Sequence, residues 1–191
     1  MPSPDARIVR DPPAAIPSIV VWPGWQRMLH WLLAAFALVA LATWQGGAVH
    51  EISGYIALAA VLARITLGIA GPRAARFAAF VRGPSVTLHY ARALRDGHPP
   101  RYINHTPLGA WMVVTLLLLG LLAGASGALY VTDRFWGESW AIRMHALAAW
   151  PFVVLVPLHL AGVLHASVAH RENLVRAMID GRKRTDTENP E

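Results

Sequence analysis

Four of the nine histidines stand at spacings that suit metal chemistry inside a helical bundle. His145 and His159 are fourteen residues apart. At 100° and 1.5 Å per residue, that interval returns to within about 40° of its starting direction and rises roughly 21 Å. The two imidazoles therefore share one helix face at two depths. His50 opens the second apolar segment of the chain, and His30 lies near the start of the first. Imidazoles facing one another across a bundle interior suit the two axial positions of a haem iron. Topology pairs His50 with His145 at one level and His30 with His159 at the other. The depth match of the second pair is the looser one, and it needs the first helix to start above a short interfacial segment at Trp22-Pro23-Gly24. A haem held on both faces offers oxygen or substrate no open position, so the expected chemistry is one-electron transfer.

Residues around the histidines fit the same chemistry. Arg64 is fourteen residues after His50 and shares its face at the level of the other pair. An arginine inside a span is costly without a partner, and a haem propionate would supply one through charge-assisted hydrogen bonds. Arg27, about one turn before His30, is placed for the same role. Gly54, four residues after His50, leaves room beside it for a flat macrocycle. A lone intramembrane histidine is often a packing residue bonded to a backbone carbonyl, but four at matched depths are poorly explained that way. The other five carry less. His165 points about 120° away from His159, and His170 lies too far along the chain. His89, His98 and His105 fall in the central connection, where a solvated role is the default, and His105 ranks first among them because it precedes the third span. Gly120, Gly124 and Gly127 form a small-xxx-small pattern that permits close helix contact. Of the eight tryptophans, Trp22, Trp25, Trp44, Trp136 and Trp140 fall near span ends, as an aromatic belt does.

The elements that position these residues follow from composition. The chain has 191 residues, 55% of them hydrophobic and 15% charged. Soluble domains carry about 25% charged residues, so this chain reads as one that buries apolar surface in lipid. Without cysteine there are no disulfides, iron–sulfur clusters, thiolate zinc sites or covalent haem attachment. Four segments are long and apolar enough to span a bilayer, at about 25–45, 50–70, 107–131 and 140–169. The expected fold is all-α, an integral membrane four-helix bundle over 20–184. A flexible, Pro-rich tail precedes it at 1–19 and a polar tail follows at 185–191. The tail 1–19 lacks the apolar core of a signal peptide.

The net charge of +6 is unevenly spread. Arg7, Arg10, Arg27, the arginines of the connection 72–106 and the basic C-terminus share one side, and only Arg134 and Arg143 the other. The positive-inside rule then places both termini and the central connection in the cytoplasm. The basic residues read as a topology signal, not as a nucleic-acid surface. Within the connection, Pro84 to Arg95 reads as an amphipathic helix on the membrane surface.

Several stretches together resemble the prokaryotic cytochrome b561 family, which includes the b-type cytochrome subunits of nickel–iron hydrogenases. They are Arg27-Met28-Leu29-His30-Trp31, His50 to Tyr55 leading to Arg64, Asn104-His105-Thr106-Pro107-Leu108-Gly109, the His145 and His159 pair, and His170 to Lys183. Family members often show Gly-His-Asn-Pro before the third helix, where this chain has Asn104-His105-Thr106-Pro107. The resemblance implies a bundle in the bacterial cytoplasmic membrane, non-covalent haem b ligated by His30, His50, His145 and His159, and electron transfer linked to quinone. The leading expectation is a di-haem electron conduit between quinone or quinol and a redox partner such as a c-type cytochrome. Three alternatives stand beside it: the membrane anchor of a hydrogenase or dehydrogenase, a superoxide:quinone oxidoreductase, and a haem-free transporter or structural bundle. The sequence also leaves room for a homodimer.

Overall fold

The computed structural model describes residues 18–184. The tails expected at either end fall outside them, apart from Ser18 and Ile19, which belong to a short strand, β1 (Ser18–Val20). The elements that follow are α1 (Gly24–Ala42), α2 (Ala48–Ala70), a 3-10 turn at Arg73–Ala75, α3 (Phe77–Phe80), α4 (Pro84–Arg95), α5 (Pro107–Tyr130), α6 (Ser139–Ala149), α7 (Phe152–Ala169), α8 (Leu174–Asp180) and β2 (Arg182–Arg184). Four stretches are long and apolar enough to cross a membrane: α1, α2, α5 and α6 with α7. Leu38, Ile52, Leu118, Val154 and Leu164 are among the large apolar side chains exposed along them. In a bilayer these side chains face hydrocarbon, while the helices satisfy their own backbone groups.

Local chemistry sets the helix ends. α1 closes where the Thr43 hydroxyl donates back to the Val39 carbonyl at 2.7 Å. Gly46 and Gly47, at φ of 91° and 93°, then reverse the chain, a conformation glycine adopts without strain. α2 stops at Gly71-Pro72. α5 starts with Pro107 in its first turn, and Thr106 Oγ1 accepts from Gly109 N at 3.1 Å. The fourth span departs from the single helix expected over 140–169. Pro151 has no N–H to give, so helical hydrogen bonding is interrupted between α6 and α7. Trp150 and Pro151 keep right-handed helical angles, so the chain continues in the same general direction.

α1 packs along α2, α2 on α5, and α5 on α6. α1 and α7 hardly touch. We call the end that carries β1 and β2 the lower end and the opposite one the upper end. At the lower end β1 and β2 pair antiparallel, with Ile19 opposite Lys183. The chain reaches β2 through Gly181, at φ 81°, whose carbonyl accepts from the backbone of Val21 and Trp22.

Candidate functional site

The upper site is built by three helices. His50, in the first turn of α2, and His145, on α6, bring their rings to 5.8 Å between centroids at 80°. His50 Nδ1 lies 2.9 Å from the Ala40 carbonyl. That oxygen belongs to the last turn of α1, where helix carbonyls lack an intrahelical donor. His145 Nδ1 lies 2.8 Å from the Ala123 carbonyl of α5. A carbonyl only accepts, so each Nδ1 carries the proton, and Nε2 is the nitrogen each ring has left for a metal. Two in-line metal–imidazole bonds of about 2 Å each place ring centroids about 6 Å apart, close to the observed spacing. The cleft between the rings is lined by Gly54, Tyr55, Gly124 and Gly127. A Cβ on Gly54 would meet nothing within 4 Å, so there is open space beside His50. The residues fit an iron porphyrin held by two imidazoles.

The glycines of α5 do more here than helix packing alone suggested. A Cβ on Gly127 would stand 3.0 Å from His145 Nδ1, and one on Gly124 would crowd Leu58. Gly127 thus admits the imidazole to α5, and Gly124 brings α2 against it. The sequence carries this signal in its small-residue spacing, but nothing there ties Gly127 to a histidine eighteen positions later.

The lower site differs in kind. His30 and His159 stand on α1 and α7, near enough to each other to interact electrostatically. Their rings make no direct contact, in keeping with the separation of the two helices. Arg64, on α2, is buried and donates from Nη1 to the Ala75 carbonyl at 3.3 Å. Its guanidinium carbon sits 5.1 Å from the Phe77 ring centre and 5.9 Å from that of Phe80. Arg27, expected to serve a haem propionate, contacts the C-terminal segment in this structure. Its Nη1 donates to the Ile179 carbonyl of α8, and its guanidinium lies beside Gly181. Trp31 Nε1 likewise donates to the Met178 carbonyl at 3.0 Å. Both side chains therefore clamp α8 onto the start of α1.

His105 is not the solvated loop residue expected from its position. Its ring stacks on Phe80 at 4.4 Å and meets Trp22 edge-on at 4.8 Å. Nδ1 is buried with no hydrogen-bond partner. Burial, helped by Arg64, Lys183, His159 and His30, pushes its pKa down to about 3, so the ring is neutral. Lys183 is equally unexpected. Only 7% of it is exposed, and its Nζ reaches the Asn104 carbonyl at 3.4 Å. Burial holds the ammonium below the usual lysine range, with Arg101 adding to the effect and Glu172 opposing it. Glu172 pairs with Arg101 at 3.2 Å and accepts from Arg184 N at 2.9 Å, which braces β2 against the segment before α5. No sequence periodicity announces these contacts, because they join segments far apart in the chain.

Among the described residues, no group of three or more His, Asp or Glu side chains is placed to hold a bare metal ion. A pair of imidazoles needs a macrocycle to complete the coordination, so the donor set agrees with haem. A family model described as prokaryotic cytochrome b561 matches residues 21–181. Comparison with curated proteins and with solved structures gave no match.

Proposed function

The chain belongs to the prokaryotic cytochrome b561 family, and from that premise we propose that it is a di-haem conduit carrying electrons across the membrane between quinone and a redox partner. Membership makes it a multi-pass bacterial membrane protein, a b-type cytochrome of electron transfer. The finer reading assigns one haem b to His50 and His145 and a second to His30 and His159. The observation that carries it is the upper pair, with facing rings and each Nδ1 tied to a carbonyl of a neighbouring helix.

A haem held by each histidine pair would supply reversible one-electron transfer. The protein's own residues do the rest. The Ala40 and Ala123 carbonyls fix the tautomer and direction of the upper imidazoles. Gly54 leaves open space beside His50, and Gly127 lets the His145 ring pack against α5. Arg64 brings positive charge to the level of the lower pair, where it attracts the carboxylates of a haem. The excess of basic residues at the lower end orients that end to the cytoplasm, so the upper pair faces the periplasm. Quinone exchange requires access from the lipid, and the exposed apolar flanks of the helices give that access along the whole bundle.

A reduced-minus-oxidised spectrum with pyridine haemochrome quantification tests the assignment on the purified protein and on His50→Ala and His159→Ala. Two haems b per chain, with one lost in each variant, is the expected result. A preparation without haem, or haem content indifferent to both substitutions, overturns it.

A further inference from the structure

The lower end holds two buried cations that belong to no ion pair found among the described residues. Arg64 is 8% exposed and Lys183 7%. The ion pairs among the described residues join Arg95 to Asp96, Arg101 to Glu172 and Arg176 to Asp180, and include neither of them. Glu172, the carboxylate whose charge acts on Lys183, is itself paired with Arg101 and accepts from the backbone of Arg184. Removing a charge from water without a paired counter-charge is unfavourable, so two such groups at one end of a small bundle call for an anion.

The two cations belong to one cluster. The Arg64 guanidinium lies over Phe80, Phe80 stacks on His105, His105 meets Trp22, and Lys183 Nζ sits 5.9 Å from the Trp22 ring centre. His105, in the middle, feels the charge of both cations and of His30 and His159. Its Nδ1 is the buried polar atom of the cluster left without a partner. Five segments meet here: the entry to α1, α2, α3, the segment before α5, and β2. The strap formed by β1 and β2, braced by Glu172, is what carries Lys183 inward.

We infer that Arg64, His105 and Lys183 form a buried cradle for the two carboxylates of the haem held between His30 and His159. This rests on the assignment of a haem to that pair. The charge count supports the inference: haem b brings two propionates, and the cradle offers two buried cations outside the ion pairs found among the described residues. His105 adds one neutral hydrogen-bonding nitrogen, which completes the shell without adding a third charge. Lys183 then gives the C-terminal strap a role in setting the properties of the lower haem.

The test is a spectroscopic redox titration of the intact protein with both haems resolved, for the wild type, Lys183→Met and Lys183→Arg. A cation beside a haem favours its reduced state, because reduction removes a positive charge from the iron. Lys183→Met is therefore expected to lower the midpoint potential of one haem and leave the other unchanged. Lys183→Arg, which keeps the charge, is expected to restore it. His105→Phe, which keeps the stacked ring, is expected to give a smaller shift in the same haem. Unchanged potentials in Lys183→Met, with His159→Ala still losing one haem, overturn the cradle and leave the haem assignment standing. Both haems retained in His159→Ala overturn the two together. A wild-type potential that moves with added inorganic phosphate assigns the cations to a free anion instead, and equally overturns the cradle.

Discussion

The two ends of the bundle hold their histidine pairs by different means. At the upper end, His50 and His145 sit on packed helices, and each ring is locked by a backbone carbonyl of an adjacent helix. The cleft between them is lined mostly by small residues, Gly54, Ala123, Gly124, Gly127 and Ala128, with Glu51 and Tyr55 beside them. At the lower end, His30 and His159 stand on helices that hardly touch. Next to them, around His105, lie stacked aromatic rings and two buried cations, brought together by α2, α3, the segment before α5 and the C-terminal strap. One site is thus shaped by helix packing, where the absence of side chains makes the room. The other is shaped by tertiary assembly, where charge and stacked rings make the environment. The consequence is a division of sensitivity: volume changes should damage the upper site and charge changes the lower one.

The largest effects expected from that division are all-or-none. His145→Ala should remove one haem and His30→Ala the other, and the double variant should be colourless by pyridine haemochrome. Loss of both haems in either single variant would show that the two sites assemble as one unit, and would end the comparison. Gly127→Val comes next. A Cβ there would stand 3.0 Å from His145 Nδ1 and 3.2 Å from Cε1, and forcing extra atoms into a close-packed contact costs about 1–3 kcal/mol. The upper haem should be lost or weakly held while the lower one keeps its spectrum. Retention of both haems at full occupancy would show that α5 and α6 separate easily and that packing does not set the site.

The same division explains what the sequence made legible. The upper pair is readable because helical periodicity and span topology place His50 and His145 at the same end, and helix packing does the rest. The four spans are readable because lipid demands long apolar runs. Two features of the fourth span escaped. Pro151 interrupts its hydrogen bonding, and Gly127, far back on α5, sets the room for His145. At the lower end the limits are of another kind. Arg64 has a period that points inward, so its burial is legible. Arg27 lies near His30 by spacing, yet its guanidinium serves the Ile179 carbonyl, because α8 folds back onto α1. His105 and Lys183 look like solvated loop and tail residues until β1, β2 and the segment before α5 come together. Periodicity carries no information about such contacts between segments.

Acid should act on the lower end first. The His105 pKa, about 3, lies below the ordinary 6.5, with burial as the largest cause. As the pH falls below about 6.5 the unfolded chain takes up this proton before the folded one does. The stability present above that pH is therefore lost progressively towards pH 3. His105→Phe should flatten this acid limb in thermal unfolding followed at several pH values, with the lower haem released at lower pH than in the wild type. An acid limb of the same slope in the variant would assign the sensitivity to other groups.

The smallest effect separates positioning from chemistry. Thr106 caps α5 by accepting from Gly109 N, and it follows His105 directly in the chain. Removing a threonine cap costs about 1 kcal/mol. Thr106→Ala should lower the unfolding temperature by a few degrees and loosen the start of α5, which carries the His105 ring against Phe80. The far end of α5, with Gly124 and Gly127, lies more than three helical turns beyond Gly109. Fraying at the cap decays within about a turn. The lower haem should therefore show a small change in potential, while the upper haem and the haem stoichiometry stay as in the wild type. An equal change at both haems would mean that α5 moves as a rigid rod, and that the two ends are mechanically coupled through it.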